Sequence, residues 1–485
     1  MGDTIRFLLG SEERSLRGVS PTLTILDYLR RIERRTGTKE GCAEGDCGAC
    51  TVVLSEPDGA GGLRHRAVNS CIRFVPSLHG RQLTTVEDLK AEDGTLHPVQ
   101  QALVDHHGSQ CGFCTPGFVM QIYAGCREKT LTGRQAAKDW LAGNLCRCTG
   151  YGPIVDAALA AADADAPEPA VTEIALAQRL TSMTDGALAY AHDGQTYHAP
   201  RTADDLAALY AEHPDAILVA GATDVGLWVT KQLRHLPTLI DVTGVVELAA
   251  IDDAVDELRI GAAVSHRDAT AALARLHPDL GELMRRFASI QIRNAGTVGG
   301  NIANGSPIGD LPPALIALGA RLHLRQGKER RELPLEDFFI AYGQQDRRPG
   351  EFVEAVTIPK LGPQSHFGCF KISKRFDQDI SAVMGAFRLR FDDDVIDAAR
   401  IAFGGMAATP KRAAGAEVAL IGRRFDREAV EAACAALAGD FSPITDMRAS
   451  EAYRRKVACN LLRRFAERFD PEAVAPLEVL DFAHG

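Results

Sequence analysis

The cysteines constrain this chain most, because eight of its 12 cysteines form two groups in the first third of its 485 residues. The first group lies in the run GCAEGDCGAC and in a later NSC, and consists of Cys42, Cys47, Cys50 and Cys71. Its spacing, with a distant fourth cysteine, is the plant-type ferredoxin spacing for a 2Fe–2S cluster. Zinc is the alternative, but zinc sites usually join two short CxxC knuckles, which the first gap fits poorly.

Glycines accompany this first group at positions 41, 45 and 48. Three thiolates from one loop must surround two irons, and backbone N–H groups must point at the bridging sulfides. Glycine permits such tight folding and close approach of the backbone. We therefore expect Gly41, Gly45 and Gly48 to shape the cysteine loop.

The second group combines a CxxC in CGFC with a CxC in CRC, and consists of Cys111, Cys114, Cys146 and Cys148. Alone, this pattern also suits zinc or a redox-active CxxC. Beside a plant-type set, a second electron-transfer cluster is favoured. The residues between the two pairs have apolar side chains at helical spacing, and Pro116 can open a helix. The second set should therefore lie at helix ends.

The other four cysteines, Cys126, Cys369, Cys434 and Cys459, are expected to be core thiols. The formal charge of −10 argues against nucleic-acid binding, which needs a basic surface. No stretch approaches the length of an apolar membrane helix, and the first residues do not resemble a signal peptide. These features predict a cytoplasmic protein that binds neither nucleic acid nor a membrane.

Two glycine-rich runs follow the cysteine-containing part. DAILVAGATDVGLWVT predicts a buried strand that enters a glycine turn. ASIQIRNAGTVGGNIANGSPIGDLPPALIALGA predicts a short strand, a glycine-rich loop and a helix opened by two prolines. Neither run contains GxGxxG, yet glycines let backbone amides approach a phosphate closely. The alternative is that these turns only connect strands.

The combination of GCAEGDCGACTV, QCGFCTPGF, GNLCRCTGY and TVGGNIANGSPIGDL resembles the iron–sulfur and flavin portion of the molybdenum hydroxylases. Within that family it most closely resembles the small subunits of bacterial two-subunit xanthine dehydrogenases. The resemblance implies a multidomain α+β fold. Its expected parts are a β-grasp ferredoxin-like domain (1–85), a helical 2Fe–2S domain (86–161), a linker (162–194), an α+β FAD-binding domain (195–366) and a C-terminal α+β sheet-and-helix domain (367–485).

The resemblance also implies flavin-binding residues. They are expected in the first loop (Leu218, Val219, Ala220, Gly221, Ala222, Thr223, Asp224, Val225), in the pyrophosphate loop (Thr297, Val298, Gly299, Gly300, Asn301) and at Asp310, Phe287, Val353, Lys371 and Tyr342. Gln110 resembles a residue that contacts the pterin of the molybdenum cofactor. We expect Gly299→Val to push a side chain into the space of the pyrophosphate and release FAD.

The resemblance implies two 2Fe–2S clusters and one FAD in this chain, with molybdenum–pterin and the purine substrate in a separate large subunit. The expected assembly has two small and two large chains. Electrons would pass from molybdenum through the Cys111 set, the plant-type set and FAD to NAD. No catalytic side chain for the hydroxylation is expected here.

Two other functions stay open on the sequence. One is the corresponding part of another molybdenum hydroxylase, acting on aldehydes, N-heterocycles or carbon monoxide. The other is an iron–sulfur redox regulator without a partner enzyme, which would not need two flavin loops.

Overall fold

The computed structural model describes residues 2–164, 171–184 and 186–469. Within these residues the strands are β1 (Ile5–Leu9), β2 (Glu12–Leu16), β3 (Thr51–Pro57), β4 (Leu63–Asn69), β5 (Gln82–Thr84), β6 (Leu188–His192), β7 (Gln195–Ala199), β8 (Ile217–Val219), β9 (Thr238–Asp241), β10 (Ile251–Asp253), β11 (Glu257–Gly261), β12 (Arg321–Gln326), β13 (Glu329–Pro334), β14 (Phe339–Ala341), β15 (Gln344–Gln345), β16 (Phe352–Pro359), β17 (Ser365–Ile372), β18 (Val383–Asp392), β19 (Val395–Gly404) and β20 (Lys411–Arg412).

The α-helices of the same residues are α1 (Ile25–Asp27), α2 (Pro98–Asp105), α3 (Thr115–Arg127), α4 (Arg134–Leu141), α5 (Gly152–Asp163), α6 (Glu173–Ser182), α7 (Ala203–Glu212), α8 (Val225–Thr230), α9 (His266–Leu276), α10 (Pro278–Arg286), α11 (Ile290–Ala295), α12 (Val298–Asn304), α13 (Leu311–Leu318), α14 (Ala414–Leu420), α15 (Arg427–Asp440) and α16 (Glu451–Glu467). A π-helical turn, Tyr28–Ile32, continues α1.

The chain divides into two compact units. Unit 1 comprises Met1–Val246 and Ser289–Gly296, and unit 2 comprises Glu247–Ala288 and Thr297–Gly485. The chain therefore leaves unit 2 for eight residues, which contain α11 of unit 1, and then returns.

Unit 1 begins with a mixed five-stranded sheet in the order β2-β1-β5-β3-β4, in which β1 and β5 run parallel. The alternating apolar residues of IRFLL place Phe7 and Leu9 in a core shared with Tyr28 of the π-helical turn. This small mixed sheet agrees with the ferredoxin-like domain that the resemblance implies.

Four helices, α2 to α5, follow in unit 1. The residues that showed helical spacing are buried together in one core, including Phe118, Ile122, Leu131 and Leu141. Pro116 lies in the first turn of α3, where its missing N–H leaves no intrahelical hydrogen bond unmade.

A second sheet of unit 1 has the order β6-β7-β9-β8, with β7, β9 and β8 parallel. Part of the predicted linker 162–194 is regular structure, since α6 and β6 lie within it. The reason is burial: Leu180 of α6 packs with Leu8 and Met183 in a small apolar cluster. The Ala- and Pro-rich residues 165–170 lie outside the described residues.

Unit 2 contains an antiparallel sheet in the order β10-β11-β16-β12-β13 and another in the order β17-β18-β19-β20. Helix α13, LPPALIAL, is apolar on every face, and all eight of its residues are buried. Helices α14, α15 and α16 share a core with the second sheet. The α+β fold class is confirmed.

Two local predictions in the second glycine-rich run are wrong. The short strand expected at the start of this run is instead the helix Ile290–Ala295, because the side chain of Ser289 caps the helix by accepting from the N–H of Ile292. The glycine-rich residues after it begin a helix rather than a loop, because Thr297 accepts from the N–H of Gly300. Serine and threonine are preferred N-cap residues. Here the helix caps outweigh the β-branched residues, which favour a strand, and the glycines, which favour a loop.

Candidate functional site

The plant-type cysteines come together in unit 1. Cys42, Cys47 and Cys50 lie in the loop before β3, and Cys71 follows the end of β4. Thiols of Cys47 and Cys71 donate to the sulfur of Cys42, which lowers the pKa of Cys42. The thiol of Cys71 likewise lowers the pKa of Cys50. Backbone N–H groups of Asp46 and Cys47 point at Cys42 Sγ, at 3.4 and 3.3 Å. The loop is thus folded around its sulfurs.

Glycines are required in this loop, as expected. A Cβ at Gly41 would lie 2.7 Å from Cys47 Sγ. Gly48 has φ +70°, and a Cβ there would lie 2.4 Å from the carbonyl oxygen of Gly143. The backbone approaches both a sulfur and a neighbouring loop more closely than any side chain permits.

The second cysteine set lies at helix ends, also as expected. Cys114 is the N-cap residue of α3, and Cys146 and Cys148 occupy the turn between α4 and α5. Burial and a hydrogen bond to Cys146 raise the pKa of Cys114 to about 12. The other two members, Cys111 and Cys148, are exposed and hydrogen-bonded to each other.

The donor set fits two-iron clusters. All 12 cysteines are free thiols. Across the described ranges, no three Cys, His, Asp or Glu side chains converge on a single ion position. In the plant-type set, Cys42 contacts both Cys47 and Cys71, and Cys71 also contacts Cys50. In the second set, Cys111 contacts Cys148 and Cys114 contacts Cys146. Each set brings together the four thiols that a 2Fe–2S cluster takes, whereas the four ligands of one zinc would have to converge on one position.

A direct hydrogen bond joins the two cysteine loops. The backbone N–H of Leu145, next to Cys146, donates to the carbonyl oxygen of Cys47 at 3.0 Å. The buried side chain of Asn144 donates to the carbonyl oxygen of Gly48 at 2.9 Å. Sequence reasoning missed Asn144 and Leu145, although both lie in the GNLCRC motif.

Helix α11 packs against the same loops. Gln291 is fully buried and donates to Asn144 Oδ1 at 2.8 Å. A Cβ at Gly143 would lie 2.0 Å from Gln291 Oε1. A segment far along the chain thereby donates to Asn144, while Gln291 Oε1 accepts no hydrogen bond within the described residues.

The first glycine loop, 218–225, runs from β8 to the start of α8 in unit 1. Its tightest position is Gly221, where a Cβ would lie 1.8 Å from the carbonyl oxygen of Ala295. Ala222 has φ +58°, a left-handed conformation, and its carbonyl accepts from the N–H of Gly226 at 2.7 Å. Leu218, Val219, Ala220, Thr223, Asp224 and Val225 complete the loop, and of these Asp224 is exposed.

The second run lies in unit 2, where Thr297, Val298, Gly299, Gly300 and Asn301 form the cap and first residues of α12. Packing gives glycine at 299 a reason that the sequence does not show, and the loss of FAD in Gly299→Val stays a prediction. A Cβ there would lie 2.4 Å from the Cβ of Ala262, so packing within unit 2 requires this glycine. Asn301 Oδ1 is buried and accepts no hydrogen bond from the described residues. A ligand with N–H or O–H donors would satisfy it, which fits a bound flavin nucleotide.

Asp310 and Lys371 meet in a buried network of unit 2. Lys371 Nζ donates to Asp310 Oδ2 at 2.7 Å and to Ser381 Oγ at 2.8 Å. Ser381 Oγ donates to Asp310 Oδ1 at 2.5 Å. Sequence reasoning named the first two residues and missed Ser381, which no motif marks.

The other predicted flavin contacts lie on other elements of unit 2. The Phe287 ring packs on His266 with centroids 4.7 Å apart, and Val353 is buried in β16. Tyr342 lies in the turn between β14 and β15 and is 75% exposed. Gln110, beside Cys111, is exposed.

Four families match successive parts of the chain. Residues 8–75 match the 2Fe-2S iron-sulfur cluster binding domain, and residues 85–159 match a second 2Fe-2S binding domain. Residues 190–361 match the FAD binding domain in molybdopterin dehydrogenase. Residues 368–469 match the CO dehydrogenase flavoprotein C-terminal domain. The chain belongs to the molybdenum hydroxylase family.

Relatives in this family have several activities. Xanthine dehydrogenase of Drosophila subobscura is 35% identical over 91% of this chain, and aldehyde oxidase 2 of Cavia porcellus is 31% identical over 96%. The chain spans 37% and 39% of these relatives' lengths.

Solved structures show the same relationship for part of the chain. CO dehydrogenase from Oligotropha carboxidovorans covers 55% of this chain and 94% of its own, with 28% identity and a TM-score of 0.52. Quinoline 2-oxidoreductase from Pseudomonas putida 86 covers 57% of this chain and 96% of its own, with 26% identity and a TM-score of 0.52.

This chain therefore carries two 2Fe–2S domains and a FAD-binding domain of a molybdenum hydroxylase. Its domains are those of electron transfer in an oxidoreductase family. Among the helices of the described residues, none has the length and apolar character needed to cross a bilayer.

Proposed function

We propose that this chain is the electron-transfer subunit of a xanthine dehydrogenase. Electrons from hypoxanthine or xanthine would leave a molybdenum–pterin centre in a large partner subunit and reach NAD through this chain. The clusters supply one-electron steps, and FAD joins these to the two-electron reduction of NAD. The proposed domains are 1–85, 86–161, 195–366 and 367–485, with 162–194 as the connection.

The proposal rests on the position of the plant-type loop within unit 1. This loop contacts the second cysteine loop and also the helix that follows the proposed flavin loop. On one side, Leu145, which precedes Cys146, donates to the carbonyl oxygen of Cys47. On the other, Thr230 at the end of α8 donates to the carbonyl oxygen of Ala43 at 2.9 Å. Helix α8 begins at the end of the proposed flavin loop 218–225. This order supports transfer from the Cys111 set through the plant-type set to the flavin.

The residues proposed to hold the groups are the two cysteine sets, the loop 218–225, the residues Thr297–Asn301, and Asp310, Lys371, Phe287, Val353 and Tyr342. Exposure of Cys111, Cys148 and Gln110 supports docking of the molybdenum partner at the second set. We propose an assembly of two small and two large chains in the cytoplasm.

The experiment is to isolate the chain from its own cell with whatever binds it, and to measure xanthine-dependent formation of NADH. The proposal expects NADH together with iron, flavin and molybdenum in the complex. If the complex contains iron, flavin and a molybdenum partner but forms no NADH, the electron-transfer role stands. The assignments of xanthine as substrate and NAD as acceptor are then refuted.

A second candidate is the same role in an aldehyde-oxidising enzyme, favoured by the similarity to aldehyde oxidase 2 over 96% of this chain. Replacing xanthine with an aromatic aldehyde in the same assay separates the two. A stand-alone redox regulator is disfavoured, because it would not need the FAD-binding domain at 190–361. Isolation of the chain without any molybdenum subunit would support the regulator hypothesis.

A further inference from the structure

The residue after α8 brings a positive charge to the plant-type cysteine loop. Lys231 Nζ donates to the carbonyl oxygen of Cys42 at 2.5 Å. Its neighbour Thr230 bonds the next carbonyl, that of Ala43. Two consecutive side chains at the end of the flavin-loop helix therefore hold two consecutive carbonyls of the cysteine loop, all within unit 1.

The ammonium group of Lys231 has one charged partner among the ion pairs that the structure shows for it. This is the carboxylate of Glu44, at 3.5 Å, and the side chains of Lys231 and Glu44 are 42% and 46% exposed. The carboxylate opposes the ammonium group, and of these two groups the ammonium is the one that the structure shows bonded to the backbone of a proposed ligand.

We expect a charge at this position to change the reduction potential of the cluster more than the stability of the fold. A half-exposed ion pair adds little stability, because solvent screens it and ordering both side chains has an entropic cost. Reduction, however, would add one negative charge to a cluster held by Cys42, the residue whose carbonyl oxygen the ammonium group contacts. The reduced form gains more from a nearby cation than the oxidised form, and local charges and hydrogen bonds set the potentials of such clusters.

We propose that Lys231 is a positioning residue that raises the reduction potential of the plant-type cluster and holds its loop to the flavin-binding segment. The inference rests on the proposed function, because it requires a 2Fe–2S cluster at Cys42, Cys47, Cys50 and Cys71. Its consequence is that the plant-type cluster accepts electrons from the second cluster more readily than its cysteine loop alone would allow.

The test is a redox titration of the isolated complex, followed by electron paramagnetic resonance, which reports each cluster separately. In Lys231→Met the reduced-to-oxidised ratio of the plant-type cluster at a given potential should fall about threefold to tenfold. A tenfold change corresponds to about 59 mV for a one-electron couple. The second cluster serves as the internal reference and should keep its ratio.

Three matched variants separate charge from structure. Lys231→Arg keeps the charge and should keep the potential. Glu44→Gln removes the opposing charge and should shift the ratio in the opposite direction to Lys231→Met. Thr230→Val removes the neighbouring hydrogen bond without changing charge, and should leave the potential unchanged.

An unchanged plant-type potential in Lys231→Met would overturn the inference. Equal shifts of both clusters, or the same shift in Lys231→Arg, would also overturn it, because either would indicate a general structural change. Should Lys231→Met fail to assemble, Glu44→Gln alone decides, and an unmoved potential there refutes the role of charge. Absence of a plant-type signal in the unaltered complex would instead refute the proposed function.

Discussion

Replacement of Lys371 by methionine tests the buried network of unit 2. Lys371 and Asp310 are 5% and 4% exposed, and Ser381 is 1% exposed. Methionine keeps the length of the side chain but leaves the Asp310 carboxylate with only the Ser381 hydroxyl as a donor in that network. Removing one partner of a buried pair costs about 3–5 kcal/mol. For a folding unit of roughly 150–250 residues, each kcal/mol lowers Tm by about 2–4 °C, so a fall of roughly 6–20 °C is expected.

The assay is thermal unfolding of the full chain followed by circular dichroism, with flavin fluorescence as a second signal. The double variant Lys371→Met/Asp310→Leu removes both charges and should recover much of the lost stability, since apolar replacement of a buried pair is often tolerated. The control is Arg424→Met, which breaks a pair with Asp394 whose side chains are 71% and 76% exposed, and it should cost below about 1 kcal/mol. The reasoning fails if the single and double variants lose equal stability, or if the single variant matches Arg424→Met.

Three further changes test other parts of the molecule. Cys47→Ser should abolish the plant-type cluster signal in electron paramagnetic resonance and retain the second; retention of both would disprove the ligand assignment. Gly221→Ala places a methyl group 1.8 Å from the Ala295 carbonyl oxygen and should lower flavin content, measured by absorbance after denaturation; full content would contradict a flavin role for the loop. A thiol hydrogen bond from Cys434 lowers the pKa of Cys459 from 9.0 to about 7. Iodoacetamide should therefore alkylate Cys459 increasingly as pH rises through 7, and Cys434→Ala should move that rise to higher pH, as measured by mass spectrometry.

The sequence predicted the fold class and the clustering of the cysteines because both depend on local patterns. Ligands two or four residues apart must share a loop, and glycines beside them mark close backbone contacts. Helix α13 was predicted from its two prolines, and the helices between the two halves of the second cysteine set were predicted from apolar spacing. These signals lie within one segment of chain and need no knowledge of its neighbours.

Contacts between distant segments could not be predicted in this way. Lys231 and Cys42 are 189 residues apart, and no motif marks the lysine. Lys371 and Asp310 were both expected to contact flavin, but their pairing across 61 residues depends on the topology of unit 2. The segment Ile290–Ala295 was misjudged because its isoleucines favour a strand, whereas the Ser289 cap and the packing of Gln291 make it a helix.

The eight-residue return of the chain into unit 1 limits how this protein can be divided. All eight proposed ligands precede residue 246, yet a fragment ending there would lack Gln291 and Asn294. Asn144 would then lose a donor, and the carbonyl oxygen of Ala67 would lose its 2.8 Å hydrogen bond from Asn294. Severing the polypeptide once, after residue 246, would also leave α11 covalently joined to unit 2. Unit 1 is therefore discontinuous in the amino-acid sequence. Its isolation as a stable fragment requires residues 289–296 to be supplied together with the residues up to 246.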